Sequence, residues 1–265
     1  MNPEGGKRDT SQGAPHALRI RELRKSFVLQ HQGGSIKRAV VGAFRKRGKE
    51  VFEVLHGVDL EIPHGETVAL IGRNGSGKST LLGLIARVYL PTSGQIERNG
   101  RVAPLLELGA GFHPDLTGEE NAELYGAILG MTGVEIKEKL PSIVAFGFDR
   151  DDLASMIDTP LRNYSDGMKM RLGFAVAIHT DPDILLFDEV LAVGDEAFQH
   201  KCYRKIEELQ RAGKTIIFVS HDMHVVQQVA TRVVWLHEGV IRMDGSVDEV
   251  VPAYITAAEE SESTP

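Results

Sequence analysis

The 265-residue sequence contains a single cysteine, Cys202, so it cannot form an internal disulfide. This fits a reducing compartment and disfavours the disulfide-stabilised class of small secreted domains. Long apolar runs are also missing, since no stretch approaches the roughly 18 consecutive apolar residues of a membrane-spanning helix. The polar start of the chain is followed by no apolar segment, so a secretory signal is not expected. We therefore expect a cytoplasmic protein that does not span a membrane by itself.

An excess of basic charge is absent as well. The chain has 30 Lys and Arg residues against 37 Asp and Glu residues, a net charge of −7. This balance disfavours a generally basic nucleic-acid-binding protein, and we expect no nucleic-acid partner. Residues 1–16 are rich in Gly, Pro, Ser and charge and predict a disordered leader, while the acidic tail at 259–265 is expected to be loose.

The remaining pattern alternates strands with helices. Short apolar runs at Ile184–Phe187 and Thr215–Val219 are typical of strands that a parallel sheet buries on both faces. Residues 114–180 are predicted to be mostly helical, with a capping box at Thr117 and Glu120. This alternation predicts an α/β fold with a mostly parallel core sheet into which the helical segment is inserted. Further strands are predicted at 18–27, 52–62 and 66–71, helices at 78–89 and around 198–209, a hairpin at 233–243 and a last helix after Ser246.

A glycine-rich segment between a predicted strand and a predicted helix matches the G-x-x-x-x-G-K-[ST] phosphate-binding loop. Its glycines let several backbone N–H groups point at phosphate oxygens, and the helix N-terminus adds positive potential. Lys78 would reach the β- and γ-phosphates, and the Ser79 hydroxyl would bind Mg²⁺. The alternative is a glycine-rich turn without a ligand. The candidate nucleotide-binding residues are Gly72, Arg73, Asn74, Gly75, Ser76, Gly77, Lys78, Ser79 and Thr80.

Two acids at the end of the Ile184–Phe187 strand predict the second half of a nucleotide site. Asp188 would help hold Mg²⁺, and Glu189 would orient or deprotonate the attacking water. Because two carboxylates would repel a triphosphate, charge balance requires Mg²⁺ beside such a ligand. The alternative is a helix start with stabilising charges.

Two further segments, Tyr164-Ser-Asp-Gly-Met168 and Ser220-His-Asp222, follow in an order that resembles the nucleotide-binding domain of ABC transporters. The resemblance covers about residues 18–258. It implies a P-loop NTPase fold with a mostly parallel core sheet, an antiparallel β subdomain and the helical insert at about 114–180. It also implies an ATPase that works as a head-to-tail homodimer.

The resemblance implies a role for several residues outside the phosphate loop. Phe27 would stack on adenine, although core packing is an alternative for this aromatic residue. Ser165 and Gly167 would contact the γ-phosphate bound to the opposite subunit. His221 would bond the γ-phosphate, so that Glu189, His221 and Lys78 are the candidate catalytic residues. Asp195 would couple the two sites of the dimer.

This sequence departs from the family at two places. The usual Leu-Ser-Gly-Gly-Gln is here Tyr-Ser-Asp-Gly-Met, which keeps Ser165 and Gly167 and has Asp166 and Met168 in place of a glycine and the glutamine. His113 occupies the place of a glutamine that the family usually has before the helical insert. His113 is therefore a candidate Mg²⁺ ligand, with Ser79 and Asp188.

Four segments resemble one subfamily, the ATPase subunits of exporters for lipid-linked bacterial cell-surface polysaccharides such as O-antigen and teichoic acid. These segments are Leu105–Phe112, Leu116–Asn121, Tyr164–Met168 and Glu189–Asp195. The resemblance implies a polytopic permease partner, a lipid-linked polysaccharide cargo and a place on the cytoplasmic face of the inner membrane.

A basic insert at residues 35–47 carries an apolar stripe and predicts an amphipathic helix suited to an anionic membrane surface. A solvated basic loop is the alternative for this segment. For the whole chain, the alternatives are the nucleotide-binding subunit of another ABC transporter, a soluble ABC ATPase without a permease and a P-loop kinase.

Overall fold

The computed structural model describes residues 16–29, 50–106, 108–148, 156–188 and 195–262. The predicted amphipathic helix at 35–47 and the candidate base Glu189 lie outside the described residues, as does the predicted leader apart from His16. His16 is assigned to the leader by its sequence context, but it begins the first strand and is 4% exposed. The strand buries this imidazole. The polar composition of the preceding residues does not indicate that burial.

The chain forms two compact units. The first contains the described parts of Met1–Arg19, Glu61–Val68 and Glu97–Phe218, and the second contains those of Ile20–Leu60, Ala69–Ile96 and Val219–Pro265. The strands are β1 (His16–Leu29), β2 (Glu50–Pro63), β3 (Thr67–Ile71), β4 (Ser93–Arg98), β5 (Val102–Leu105), β6 (Ile184–Asp188), β7 (Thr215–Val219), β8 (Arg232–His237) and β9 (Val240–Gly245). The helices are α1 (Lys78–Ile85), α2 (Gly118–Ile128), α3 (Gly133–Gly147), α4 (Asp166–Ile178), α5 (Glu196–Arg211), α6 (Met223–Val229) and α7 (Val247–Glu262).

The strands form one sheet in the order β2-β1-β4 and one in the order β5-β6-β7-β3-β8-β9. Every residue of β3 and β7 is buried, as are the first four residues of β6. Such fully buried strands are typical of a parallel sheet. Strands β5 and β6 pair in parallel with Val102 opposite Ile184, whereas β8 and β9 form the predicted antiparallel hairpin. The prediction of a mostly parallel core with antiparallel β elements is confirmed.

In the first unit, the helical segment begins at the capping box that the sequence predicts. Thr117 caps α2 by accepting from the Glu120 N–H, and the Glu120 carboxylate accepts from the Thr117 N–H. An equivalent capping box begins α3 at Thr132. Helices α3, α4 and α5 meet through Phe146, Phe174 and Phe198, whose ring centroids lie 5.6–6.0 Å apart. The buried face predicted for α5 is confirmed, and it contains Phe198, Cys202, Ile206 and Leu209.

Two helix ends differ from the prediction. Helix α1 ends at Ile85 rather than near Tyr89, because Arg87 adopts a left-handed conformation (φ 64°) and Val88 N–H donates to Gly83 O. This is the hydrogen-bond pattern of a Schellman cap, which usually contains glycine where this chain has arginine. Helix α7 continues to Glu262, so the expectation that residues 259–262 are loose is wrong. Alanine and glutamate are strong helix formers, and they favour continuation of the helix here.

None of the helices in the described part of the chain has the length and hydropathy that a membrane span requires.

Candidate nucleotide-binding site

The predicted phosphate loop lies in the second unit, between the buried strand β3 and helix α1. Gly72, Gly75 and Gly77 have φ values of 146°, 81° and 105°, a region that residues with a Cβ rarely adopt. A Cβ on Gly77 would lie 2.7 Å from Leu55 Cδ2, and one on Gly72 would collide with the Leu236 carbonyl oxygen. Backbone conformation and close packing therefore both require glycine at these two positions.

The start of α1 is suited to a negatively charged ligand. Its first turn contains no acidic residue, and its N-cap residue, Gly77, supplies no side-chain hydrogen bond. Lys78 is 6% exposed, and its Nζ donates to the carbonyl oxygens of Gly72 (2.7 Å) and Arg73 (3.0 Å). The Ser76 Oγ is buried and has no hydrogen-bond partner within the described ranges. A buried hydroxyl, a buried ammonium and a helix N-terminus together fit a phosphate group.

Phe27 lies near the end of β1 in the same unit and is half-buried. Its ring meets Tyr89 edge to face at 5.4 Å, and Lys25 Nζ lies 4.7 Å from the ring centroid. Lys25 Nζ also donates to Leu90 O (2.9 Å), which holds the ammonium in place. Phe27 thus belongs to a partly exposed aromatic cluster rather than to the buried core, and its stacking on adenine stays a prediction.

The second unit also contains His221, in the short exposed turn between β7 and α6. Asp222 caps α6 by accepting from His224 N–H (2.8 Å), and Asp222 N–H donates to Ser220 Oγ (3.1 Å). These bonds fix the backbone on both sides of His221. Its proposed bond to a γ-phosphate stays a prediction.

The other candidate residues lie in the first unit, where Asp188 ends β6 in a half-buried position. Asp188 offers a carboxylate, and Ser79 at the start of α1 offers a hydroxyl. Both groups are oxygen ligands, which Mg²⁺ prefers. The residues that the structure describes include no cluster of three or more His, Cys, Asp or Glu side chains able to hold a metal. The donor types fit Mg²⁺ bound jointly with a nucleotide, whose phosphate oxygens would supply further ligands.

Ser165 is the N-cap of α4, and its Oγ accepts from Met168 N–H (3.2 Å). Gly167, in the first turn, has open space around it, since an added Cβ would meet only Ser165 Oγ at 3.9 Å. The fold of this chain therefore does not require glycine at 167, in contrast to Gly77. Asp166, which departs from the family pattern, forms an ion pair with Lys169 (3.1 Å).

Asp195 caps the next helix, α5, by accepting from Phe198 N–H (2.8 Å). Its second carboxylate oxygen lies 3.8 Å from Arg171 NH1, on α4. The structure thus brings Asp195 to the helix that begins at Ser165. Arg171 is not among the site residues predicted from the sequence, where its one signal is a cation next to the buried stretch Leu172–Ile178.

His113 is exposed, in the loop before α2. The buried Asn121 holds the backbone of this residue by accepting from His113 N–H (2.7 Å) and donating to His113 O (3.0 Å). Asp115 N–H donates to His113 Nδ1 at 3.3 Å. In this contact Nδ1 is the acceptor, so Nε2 is the ring nitrogen that can donate a hydrogen bond. The role of His113 beside Mg²⁺ stays a prediction.

Comparison with known proteins identifies the family. Residues 55–192 match the profile of the ABC transporter family. The chain is 43% identical over 246 residues to an O-antigen export system ATP-binding protein of Klebsiella pneumoniae, covering 89% of this chain and 96% of that protein. It is 47% identical over 222 residues to an O-antigen export system ATP-binding protein of Myxococcus xanthus, covering 84% of this chain and 50% of that protein. A teichoic acids export ATP-binding protein of Bacillus cereus is 43% identical over 212 residues, which is 80% of this chain and 38% of that protein.

Solved structures agree on the fold. An ATP-binding subunit of an ABC transporter matches with a TM-score of 0.70 and 23% identity, covering 90% of this chain and 93% of that one. A dimeric ATP-binding cassette bound to ADP and phosphate matches with a TM-score of 0.67 and 22% identity, covering 87% and 98%. The predicted fold is confirmed, and so is the resemblance to the polysaccharide-exporter subfamily. This chain belongs to the ABC transporter family and is related to the ATP-binding proteins of O-antigen and teichoic acid export systems.

Proposed function

We propose that this chain is the ATP-hydrolysing subunit of an exporter that moves a lipid-linked cell-surface polysaccharide across the bacterial inner membrane. The observation that carries the proposal is the complete phosphate loop before α1. Its glycines adopt the required positive φ values, and its lysine is buried at the helix start. Relatives named as O-antigen and teichoic acid export proteins support the proposed cargo class.

The residues of the second unit would bind the nucleotide. The ring of Phe27 would stack on adenine, and Lys78 would leave the carbonyl oxygens of Gly72 and Arg73 to bond the β- and γ-phosphates. This exchange replaces two neutral carbonyl acceptors with charged phosphate oxygens, which form stronger hydrogen bonds with an ammonium. His221 would donate to the γ-phosphate.

Mg²⁺, held by Ser79 and Asp188 together with phosphate oxygens, would neutralise part of the charge that develops during hydrolysis. Glu189 would accept the proton of the attacking water or orient it for in-line attack. His113 would supply an Nε2–H donor in place of the glutamine side chain that the family usually has.

A homodimer would complete the site. Ser165 and Gly167 would contact the γ-phosphate bound to the opposite subunit, because the N-terminus of α4 favours an anion. ATP would therefore hold two copies together, and hydrolysis would release them. The dimeric ATP-binding cassette among the structural matches supports this arrangement through its fold.

The proposed partner is a polytopic permease, which would place this chain on the cytoplasmic face of the inner membrane. The basic segment at 35–47 would lie against the anionic membrane surface or the pyrophosphate of the lipid carrier.

Depletion of the protein in its source cell tests the proposal. We expect finished lipid-linked polysaccharide to accumulate on the cytoplasmic side of the inner membrane. Wild-type protein should restore surface polysaccharide, whereas Lys78→Ala should not, since it lacks the phosphate-binding ammonium. Unchanged surface polysaccharide in depleted cells would contradict export, and would leave another ABC transporter or a soluble ABC ATPase.

A further inference from the structure

A short antiparallel ribbon in the first unit precedes the loop that contains Ser165. The segment Pro114–Glu119 pairs with Ile157–Arg162, centred on a bridge between Thr117 and Pro160. Four backbone hydrogen bonds of 2.8–3.2 Å join them: Leu161 N–H to Leu116 O, Arg162 N–H to Pro114 O, Gly118 N–H to Thr159 O and Glu119 N–H to Ile157 O. These two segments lie about 40 residues apart in the chain, so this pairing is tertiary.

Asn121 fixes the first strand of the ribbon. Its side chain is fully buried and bonds four backbone groups. Its Oδ1 accepts from His113 N–H at 2.7 Å, and its Nδ2 lies 2.8–3.0 Å from the carbonyl oxygens of His113, Leu116 and Thr117. A buried amide with this many partners leaves the backbone from His113 to Thr117 little freedom.

Tyr164 closes the ribbon at the residue before Ser165. Its hydroxyl donates to Met156 O at 2.5 Å, and its ring meets Phe148 edge to face at 5.9 Å. Burial raises the pKa of Tyr164 to about 12, so the hydroxyl remains a donor. A Cβ on Gly118 would collide with this oxygen, so Tyr164 sits directly on the first residue of α2.

The ribbon continues into the Ser165 loop through one hydrogen-bonded turn. Asn163 N–H donates to Pro160 O and Tyr164 N–H donates to Leu161 O, both at 3.0 Å, within a single 3₁₀ turn. The loop before His113 also packs on the helix that Ser165 begins, since a Cβ on Gly173 would lie 2.9 Å from Gly109 N. The His113 loop and the start of α4 are thus joined at two places.

We propose that Tyr164 and Asn121 are positioning residues, which hold Ser165 and Gly167 in a fixed place relative to the His113 loop. The inference rests on the proposed function for the role of Ser165. The mechanical connection itself requires no nucleotide.

Hydrogen exchange on the nucleotide-free protein tests the connection. Tyr164→Phe removes one hydroxyl and keeps the ring. We expect amide exchange to rise about fivefold in residues 157–169 and also in 113–119, because one buried hydrogen bond is lost. Helix α5 should exchange as in wild type.

The matched control is Arg162→Gln, which breaks an ion pair with Asp115 on the same ribbon. The side chains of Arg162 and Asp115 are 60% and 64% exposed. Exposed pairs contribute little, so the control should exchange as wild type does.

ATP-dependent dimerisation then tests positioning. In Tyr164→Phe we expect ATP binding by the isolated subunit to be unchanged, because the phosphate loop is intact, while ATP-dependent dimerisation weakens about fivefold. A second variant, Asn121→Asp, keeps the volume but turns a donor into an acceptor facing three carbonyl oxygens, and should weaken dimerisation of the folded protein further. Unchanged exchange in 157–169, or unchanged dimerisation despite faster exchange, would overturn the proposal. A wild-type protein that does not dimerise with ATP would instead contradict the proposed function, and the exchange data would still decide whether the connection exists.

Discussion

Substitution of Gly167 by alanine should separate stability from activity. An added Cβ would meet only Ser165 Oγ, at an ordinary 3.9 Å, and Gly167 lies in the first turn of α4. Alanine has the higher helix propensity, so we expect the free energy of unfolding to rise by about 0.5 kcal/mol. If the open space at Gly167 receives the γ-phosphate of the opposite subunit, the same methyl group would overpack that contact at a cost of about 1–3 kcal/mol. That cost corresponds to a fall of about 5- to 150-fold in ATP-dependent dimerisation.

The assay compares Gly167→Ala with Gly133→Ala. Gly133 begins α3, and an added Cβ would meet no described atom within 4 Å beyond its chain neighbours and the backbone of its own helix. Both variants should be at least as stable as wild type in urea denaturation, but only Gly167→Ala should lose ATP-dependent dimerisation and hydrolysis. Full activity in Gly167→Ala would refute the assignment of this residue to the nucleotide contact. Equal loss of stability and activity would show that its role is structural.

Two further predictions concern Glu189 and Cys202. Glu189→Gln should bind ATP but hydrolyse it at least 100-fold more slowly, at the lower limit for general-base catalysis, and accumulate as an ATP-bound dimer on gel filtration. Undiminished phosphate release would remove Glu189 from the mechanism. Burial raises the pKa of the Cys202 thiol from 9.0 to about 12, so between these values the unfolded chain loses a proton that the folded chain retains. The free energy of unfolding should therefore fall above pH 9, by about 1.4 kcal/mol at pH 10. Cys202→Ala should lack this component when urea denaturation at pH 8 and pH 10 is compared, and an identical pH dependence in the variant would show that Cys202 does not titrate in the unfolded chain.

Much of the fold could be predicted because the signals are local. The apolar runs of β6 and β7 and the periodic face of α5 each express burial within one element. The capping box at Thr117 depends on residues only three positions apart. The early end of α1 was missed because Arg87 takes the left-handed conformation that glycine usually supplies, and nothing in its residue type indicates this.

In the candidate site, too, local features could be predicted from the sequence and tertiary contacts could not. The phosphate loop follows from the sequence because glycine spacing, lysine and helix start lie within one turn of chain. The pairing of Arg171 with Asp195, by contrast, joins two helices, and no pattern in either helix indicates it. The same holds for the contact of Tyr164 with the first residue of α2.

By itself, the sequence determined the family, the phosphate-loop pattern and the capped start of α2, and it predicted the roles of the two acids that follow Phe187. These depend on residue types at short spacing, where backbone conformation and capping act locally. The tertiary structure alone decided that Asn121 and Tyr164 tie the His113 loop to Ser165, and that glycine is required at Gly77 but not at Gly167. Such facts depend on which distant segments approach each other, and they follow from packing rather than from local propensity.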